Sequence, residues 1–240
     1  ATNVSSADNS GSITTNGDNA FGMLAETDSF ATNSGTIVTN GMGSHGMVAS
    51  ADSEAVNSGS ITTNNFNSNG MLATDQSSVT NSGSITTNQV GSWGMSAEDN
   101  STALNTATGT IMVYGNWSRG GMNAADHSYA ENNGTIEIHT NNQGAGMGAT
   151  ANSSAVNKGT IETFGGVSPG MEAYADSSVE NQGSITTHGA NSFGMRVDTR
   201  STGTNSGSIA TEGAGADGMW AGFDSIVTNT VSGDIVTSGD

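Results

Sequence analysis

The chain has 240 residues, 22 acidic against 4 basic side chains, a net charge of −18 and an apolar fraction of 32%. Four cations cannot neutralise a run of phosphates, which excludes nucleic acid as a partner. No apolar run of about 18 residues is present to cross a membrane as a helix, and the lack of Cys removes disulfides and thiolate metal sites. Ser, Thr, Asn and Gly dominate what remains, so the chain is either disordered or built on a repeat that needs only a thin core.

In chain order the first unit decides between these. Ser5 to Asn9 alternates, Asn9-Ser10-Gly11-Ser12-Ile13-Thr14-Thr15 follows, and after a loop come Gly22-Met23-Leu24-Ala25, a short turn and Ser29-Phe30-Ala31-Thr32-Asn33. The unit then recurs. Ile stands at 13, 37, 61, 85, 111, 136, 161, 185, 209 and 235, and Met at 23, 47, 71, 95, 122, 147, 171, 195 and 219. Each of these Met residues follows a Gly, with Ser six and Asn ten positions later. Within a unit the apolar spacing is two, which predicts strands with fixed columns on one face, three short strands per unit of about 24 residues. No 3.6-residue pattern supports a helix, and the dominant residues are poor helix formers. Two units lengthen between Asn and Gly, at Asn105 to Gly109 and Asn229 to Gly233, and two lengthen before Gly-Met, at Tyr114 to Gly120 and Asn141 to Ala145.

The expected fold is an all-β, three-sided parallel β-helix of about ten coils, one solenoid over residues 1–240. Its interior columns are Ile, Thr, Met, Ala, Ser and Ala/Val. Val197 departs from the Ala column, and Gly203, which departs from the Ala/Val column, is expected to leave a small void. Gly before Met and after Asn is expected at corners with φ > 0. Stacked amides at Asn9, Asn33, Asn57, Asn81, Asn105, Asn132, Asn157, Asn181, Asn205 and Asn229 are expected to form a structural ladder, each donating to one neighbouring coil and accepting from the other. Ala1 matches Ala25 and Asp240 aligns with Asp18, so partial coils are expected at both ends. Ala1-Thr2-Asn3-Val4 does not read as a signal peptide, and the segment is expected to be cut from a longer array.

The unit from Asn9 to Met23, Asn-Ser-Gly-Ser-Ile-Thr-Thr-Asn-Gly followed by Phe-Gly-Met, resembles the repeat of bacterial autotransporter passenger domains and haemagglutinin-type surface proteins. The resemblance covers the whole chain. It implies a right-handed parallel β-helix secreted by a Gram-negative cell and displayed on its surface. The membrane barrel and signal of that family are not in this sequence.

Few residues suggest chemistry. Ser recurs in every unit and reads as structural. His45, His127, His139 and His188 are read as falling at different repeat positions. Glu137 and Glu162 share an outward position in successive coils, near the carboxylate separation of a retaining glycosidase, about 5 Å, with no basic residue placed to orient an acidic sugar. Asp28, Asp52, Asp176 and Asp224 precede the Ser column, a position also held by Gln76, Asn100, His127, Asn152 and Arg200, so only occasional surface cation binding is expected and no cofactor. Outward Ser/Thr pairs such as Ser12/Thr14 and Ser60/Thr62 suggest an ice-binding face, interrupted by Val38, Met112, Glu137, Glu162 and Ala210. Aromatic residues of the variable loop, Phe21, Trp93, Tyr114, Trp117 and Phe193, are candidate surface contacts for sugars or another fibre.

The expected role is a non-enzymatic extracellular stalk or filament subunit that self-associates and adheres to a glycan or protein receptor. The alternatives are a polysaccharide-active β-helix enzyme or phage-spike-like glycan binder, and an ice-binding protein.

Overall fold

The computed structural model describes residues 1–115 and 117–239; Asp240 and its alignment with Asp18 lie outside the described residues. Twenty-nine short strands form three parallel sheets, and among the described residues there is no helix. The Asn sheet has ten strands, from Ser6–Asn9 to Ile226–Asn229. The Ile sheet has ten, from Ser12–Thr15 to Asp234–Thr237. The Met sheet has nine, from Met23–Glu26 to Met219–Ala221. The chain visits the three sheets in turn, and each strand pairs with its equivalents in the coils before and after, giving a parallel β-solenoid of about ten turns.

Register never slips. Ile13 pairs with Ile37, Ile37 with Ile61, and so on to Ile235, and the Met column does the same. Each strand has a period of two, so a one-residue slip would turn every interior column outward. The extra residues at Asn105 to Gly109 are absorbed in a turn in which the Gly109 N–H donates to Thr106 O at 2.9 Å. The core is a single narrow lumen in which Ile37 to Ile185 and Met47 to Met195 are almost wholly buried, with Ala and Val between them. Each buried Ile or Met contributes roughly 1.5–3 kcal/mol.

Two polar ladders line that core. Every column Asn donates from Nδ2 to Oδ1 of the Asn in the next coil, at 2.7 to 2.9 Å, all in one direction from Asn9 to Asn229. The second N–H reaches the carbonyl of the following corner Gly, as in Asn57 to Gly59 O at 3.3 Å. At the opposite corner each Ser N–H donates to Ser Oγ one coil on, from Ser5 to Ser225, at 3.0 to 3.2 Å. The amides and hydroxyls of these two ladders thus keep their partners, whereas the buried Thr87 Oγ1 has none.

Two expectations need correction. None of the Gly residues before Met or after Asn has positive φ. They are Gly because coils approach too closely for a side chain: a Cβ on Gly146 would lie 2.2 Å from Ile161 Cγ2, and one on Gly59 2.1 Å from Gly35 O. Positive φ falls instead on two successive residues before the Ser column, including Ala51/Asp52, Asp75/Gln76, Asp126/His127 and Thr199/Arg200. Their left-handed backbone is held by N–H groups that bond the next coil, such as Asp52 N to Asp75 O at 3.0 Å. Asp28, Asp52, Asp176 and Asp224 hold the second of these two positions, a conformation Asp and Asn tolerate better than most. Finally, Gly203 leaves no void. Val197 Cγ1 and Met195 Cε would lie 3.0 and 3.4 Å from a Cβ there, so the two departures from the repeat compensate each other.

Candidate functional site

Outward positions of the Met sheet change character along the rod. They run Leu24, Val48 and Leu72, then Ser96, Asn123 and Gly148, then Glu172, Arg196 and Trp220, all in register. Small residues in the middle lower the floor. The same coils carry the lengthened loops, and their strands, Trp93–Ala97, Gly120–Ala125 and Ala145–Thr150, begin earlier than the others. The result is a groove of about 360 Å³ lined chiefly by Trp93, Trp117, Arg119, Glu172, Tyr174 and Arg196. A depression of about 230 Å³ adjoins it over Asn123 and Gly148 and shares Trp93, Glu172 and Tyr174.

Charge is gathered here. Of the four cations, Lys158 pairs with Glu131 at 2.8 Å and Arg200 with Asp176 at 2.6 Å. Arg119 and Arg196 make no ion pair with any described residue, and both line the groove. Arg196 is held between aromatic faces, its guanidinium 5.6 Å from the Tyr174 ring centroid and 5.4 Å from that of Trp220. Its Nε is buried and has no hydrogen-bond partner. The Tyr174 hydroxyl donates to Glu172 Oε2 at 3.1 Å. Burial raises the Glu172 pKa above the usual carboxylate value, a shift the Tyr174 hydrogen bond and the Arg196 charge only partly offset.

The lip of the groove is strained. One loop position per coil has positive φ. It is held by Asn19, Gly43, Asn67 and Gly91 before the groove and by Asn191 and Gly215 after it. Beside the groove the position is held by Trp117 (φ 61°), Gln143 (φ 51°) and Val167 (φ 54°). Asn and Gly adopt this conformation at little cost, whereas a β-branched Val is a true outlier there.

Among the candidate surface contacts, only Trp93 and Trp117 meet in the groove. Trp117 is 56% exposed, while Trp93 is 7% exposed. Trp93 is thus not the exposed contact expected: its ring lies over Gly120 and Gly148, where missing side chains make room for it. Phe21 is half-buried against His45, 5.3 Å between ring centroids. Phe193 is half-buried beside Trp220, at 5.9 Å.

Tyr114 belongs to a different feature. Three residues after each Ile, Asn16, Asn40, Asn64 and Asn88 form an outer amide ladder at 2.8 to 2.9 Å. From the next coil the same position holds Tyr114, His139, Phe164 and His188, stacked at 5.0, 4.6 and 4.7 Å. His139 and His188 therefore share a repeat position, contrary to the sequence reading, and counting three from Ile136 and Ile185 would have shown it. They also engage the glutamates weighed as a catalytic pair. Glu137 and Glu162 are neighbours in register, but His139 bonds Glu137 at 2.9 Å and His188 bonds Glu162 at 2.7 Å and Glu212 at 2.6 Å. No group of three or more acidic or His side chains among the described residues is arranged to hold a metal ion.

Three overlapping stretches, 1–109, 87–191 and 139–240, match the family model of the BigA third pectate lyase-like domain, and together they span the chain. The chain belongs to this family. The family model describes a domain of a bacterial surface protein, which agrees with a β-helix presented outside the cell. Neither the curated proteins nor the solved structures contain a significant match.

Proposed function

We propose that the chain is a non-enzymatic, extracellular β-helical stalk of the autotransporter-passenger type. It is displayed on or shed from a Gram-negative surface, associates with other copies through its ends or sides, and adheres through the groove on its Met sheet. One observation carries this reading. The interior columns of Ile, Met and Asn run unbroken through the coils, while the two insertions before Gly-Met, the strained lip, two of the three Trp residues and the two unpaired cations gather at one place. Sites of that kind are where strain is retained for function. The negative coat elsewhere keeps rods soluble and apart.

Glu172 favours the alternative, a polysaccharide-active enzyme, because a carboxyl group with a raised pKa suits a general acid. It is the single carboxylate lining the groove, whereas glycosidases of the common kind use two. The test is to coat beads with the purified chain and measure attachment to host-cell and bacterial glycans, alongside release of reducing ends from polysaccharides. Attachment lost in Trp117→Ala without saccharide cleavage supports the adhesive reading. Cleavage abolished by Glu172→Gln overturns it.

A further inference from the structure

We infer that the groove binds a saccharide through an isolated anionic sugar residue, the acid group held by Arg119 and Arg196 and a sugar face laid on Trp117. This rests on the adhesive reading of the groove and adds the ligand class.

The charge arrangement is the first support. In a chain of net charge −18 every cation has carboxylates available, and Lys158 and Arg200 take them. Arg119 and Arg196 come from coils three apart yet line one groove and form no ion pair with a described residue; Glu172, the register neighbour of Arg196, feels its charge without bonding it. The Nε of Arg196 is buried with no acceptor, an uncompensated polar atom in the groove wall. A guanidinium presents a planar fork that matches a carboxylate. Tyr174 and Trp220 hold its guanidinium in place, 5.6 and 5.4 Å from their ring centroids, before a ligand arrives.

The second support is independent of charge. Trp117 projects an apolar face, 56% exposed, from a backbone position that Asn or Gly fills in the regular coils. Val167, 40% exposed, continues the lip in the same unfavourable conformation. A rigid aromatic face beside hydrogen-bonding groups suits a sugar ring, apolar on its face and polar at its rim. Glu172 and Gln143 supply those polar groups.

The surrounding charge narrows the class. A polyanion running along the rod would meet the field of a chain of net charge −18, which opposes it. One acidic sugar among neutral ones meets the two arginines without that penalty.

The test uses the intact chain and titrates tryptophan fluorescence with matched pairs of oligosaccharides: sialyllactose against lactose, and glucuronyl-capped cellobiose against cellotriose. Polygalacturonate serves as the polyanion. An acidic member should bind at least about tenfold more tightly than its neutral match and weaken with added salt. Arg119→Gln, an exposed change that leaves the fold untouched, should remove most of that preference, while Arg196→Lys should reduce it by weakening the fork. Acidic and neutral members that bind equally, with both lost in Trp117→Ala, would overturn the anionic class and leave the groove as the adhesive site. Preference for polygalacturonate would overturn the isolated-acid inference. Binding that survives Trp117→Ala and Arg119→Gln, or no binding by any acidic member, would overturn the inference, and survival would also remove the groove from the adhesive reading.

Discussion

The coils up to Asn88 and the coils from Trp93 to Arg196 share one backbone plan and differ chiefly at outward positions; inside, Val113 and Ile138 take two places of the Thr column. In the first region the outer columns are as regular as the inner ones. Asn40 bonds Asn16, Asn64 bonds Asn40, and Asn and Gly alternate at the left-handed loop position. In the second, the same outer columns hold stacked rings, unpaired arginines and strained Trp and Val, yet Ile still pairs with Ile and Asn with Asn. A solenoid couples its coils through interior columns, where changes such as Val113, Ile138, Val197 and Gly203 stay within the packed lumen, and leaves the outside free to specialise. Strain and charge on the outer face are therefore the place to look for function.

The sharpest way to break the shared plan is through the Asn ladder. Asn132→Ala removes the acceptor of Asn105 and the donor to Asn157, leaving two buried amides short of a partner. It should cost about 4 kcal/mol in urea unfolding, against about 1 kcal/mol for Asn9→Ala at the more exposed end.

The two regions also differ in their response to pH. His45, in the regular coils, has its pKa lowered by burial to about 4, and its Nδ1 accepts the Asn69 N–H at 2.9 Å. The unfolded chain takes up that proton first, so stability should fall as pH drops from about 6.5 to 4, by at most about 3 kcal/mol. His45→Gln should flatten that part of the profile. His188, in the specialised coils, behaves oppositely: burial disfavours its charge, but Glu162 and Glu212 outweigh it and raise its pKa. Its contribution is fully present below the unfolded value and is lost as pH rises through the raised one. In thermal unfolding, His188→Gln should therefore cost most stability below about pH 6.5, and the penalty should shrink as pH rises.

A smaller effect tests whether interior departures compensate. Val197→Ala should cost about 2 kcal/mol by opening space beside Gly203, and Gly203→Ala about 1 kcal/mol by crowding Val197. The double variant should cost less than either sum predicts, near 1 kcal/mol, because the two sites share one volume. Strict additivity in chemical unfolding would separate them.

The columns were legible because stacking writes the same residue at the same phase: Ile, Met, Ser and Asn report the fold directly. The left-handed pairs were not, since Thr, Ala, Asp, Gln, His and Arg all occupy them and no residue type marks the turn. Glycine misled for a related reason: close approach of backbones and positive φ select the same residue. The groove was hidden because Trp93, Trp117, Glu172 and Arg196 lie on four of five adjacent coils, joined only by the register that stacks them. The ring stack at His139 and His188 was readable by counting from Ile, but variable residues at a repeated phase look like noise until their side chains are seen to touch.

The central claim is that the lip of the groove trades stability for binding. Replacing Trp117→Asn, Gln143→Gly and Val167→Asn together gives the specialised coils the residues of the regular ones. The account predicts a chain about 2 kcal/mol more stable to urea that no longer attaches to glycan-coated surfaces. Unchanged attachment, or a loss of stability, would contradict it.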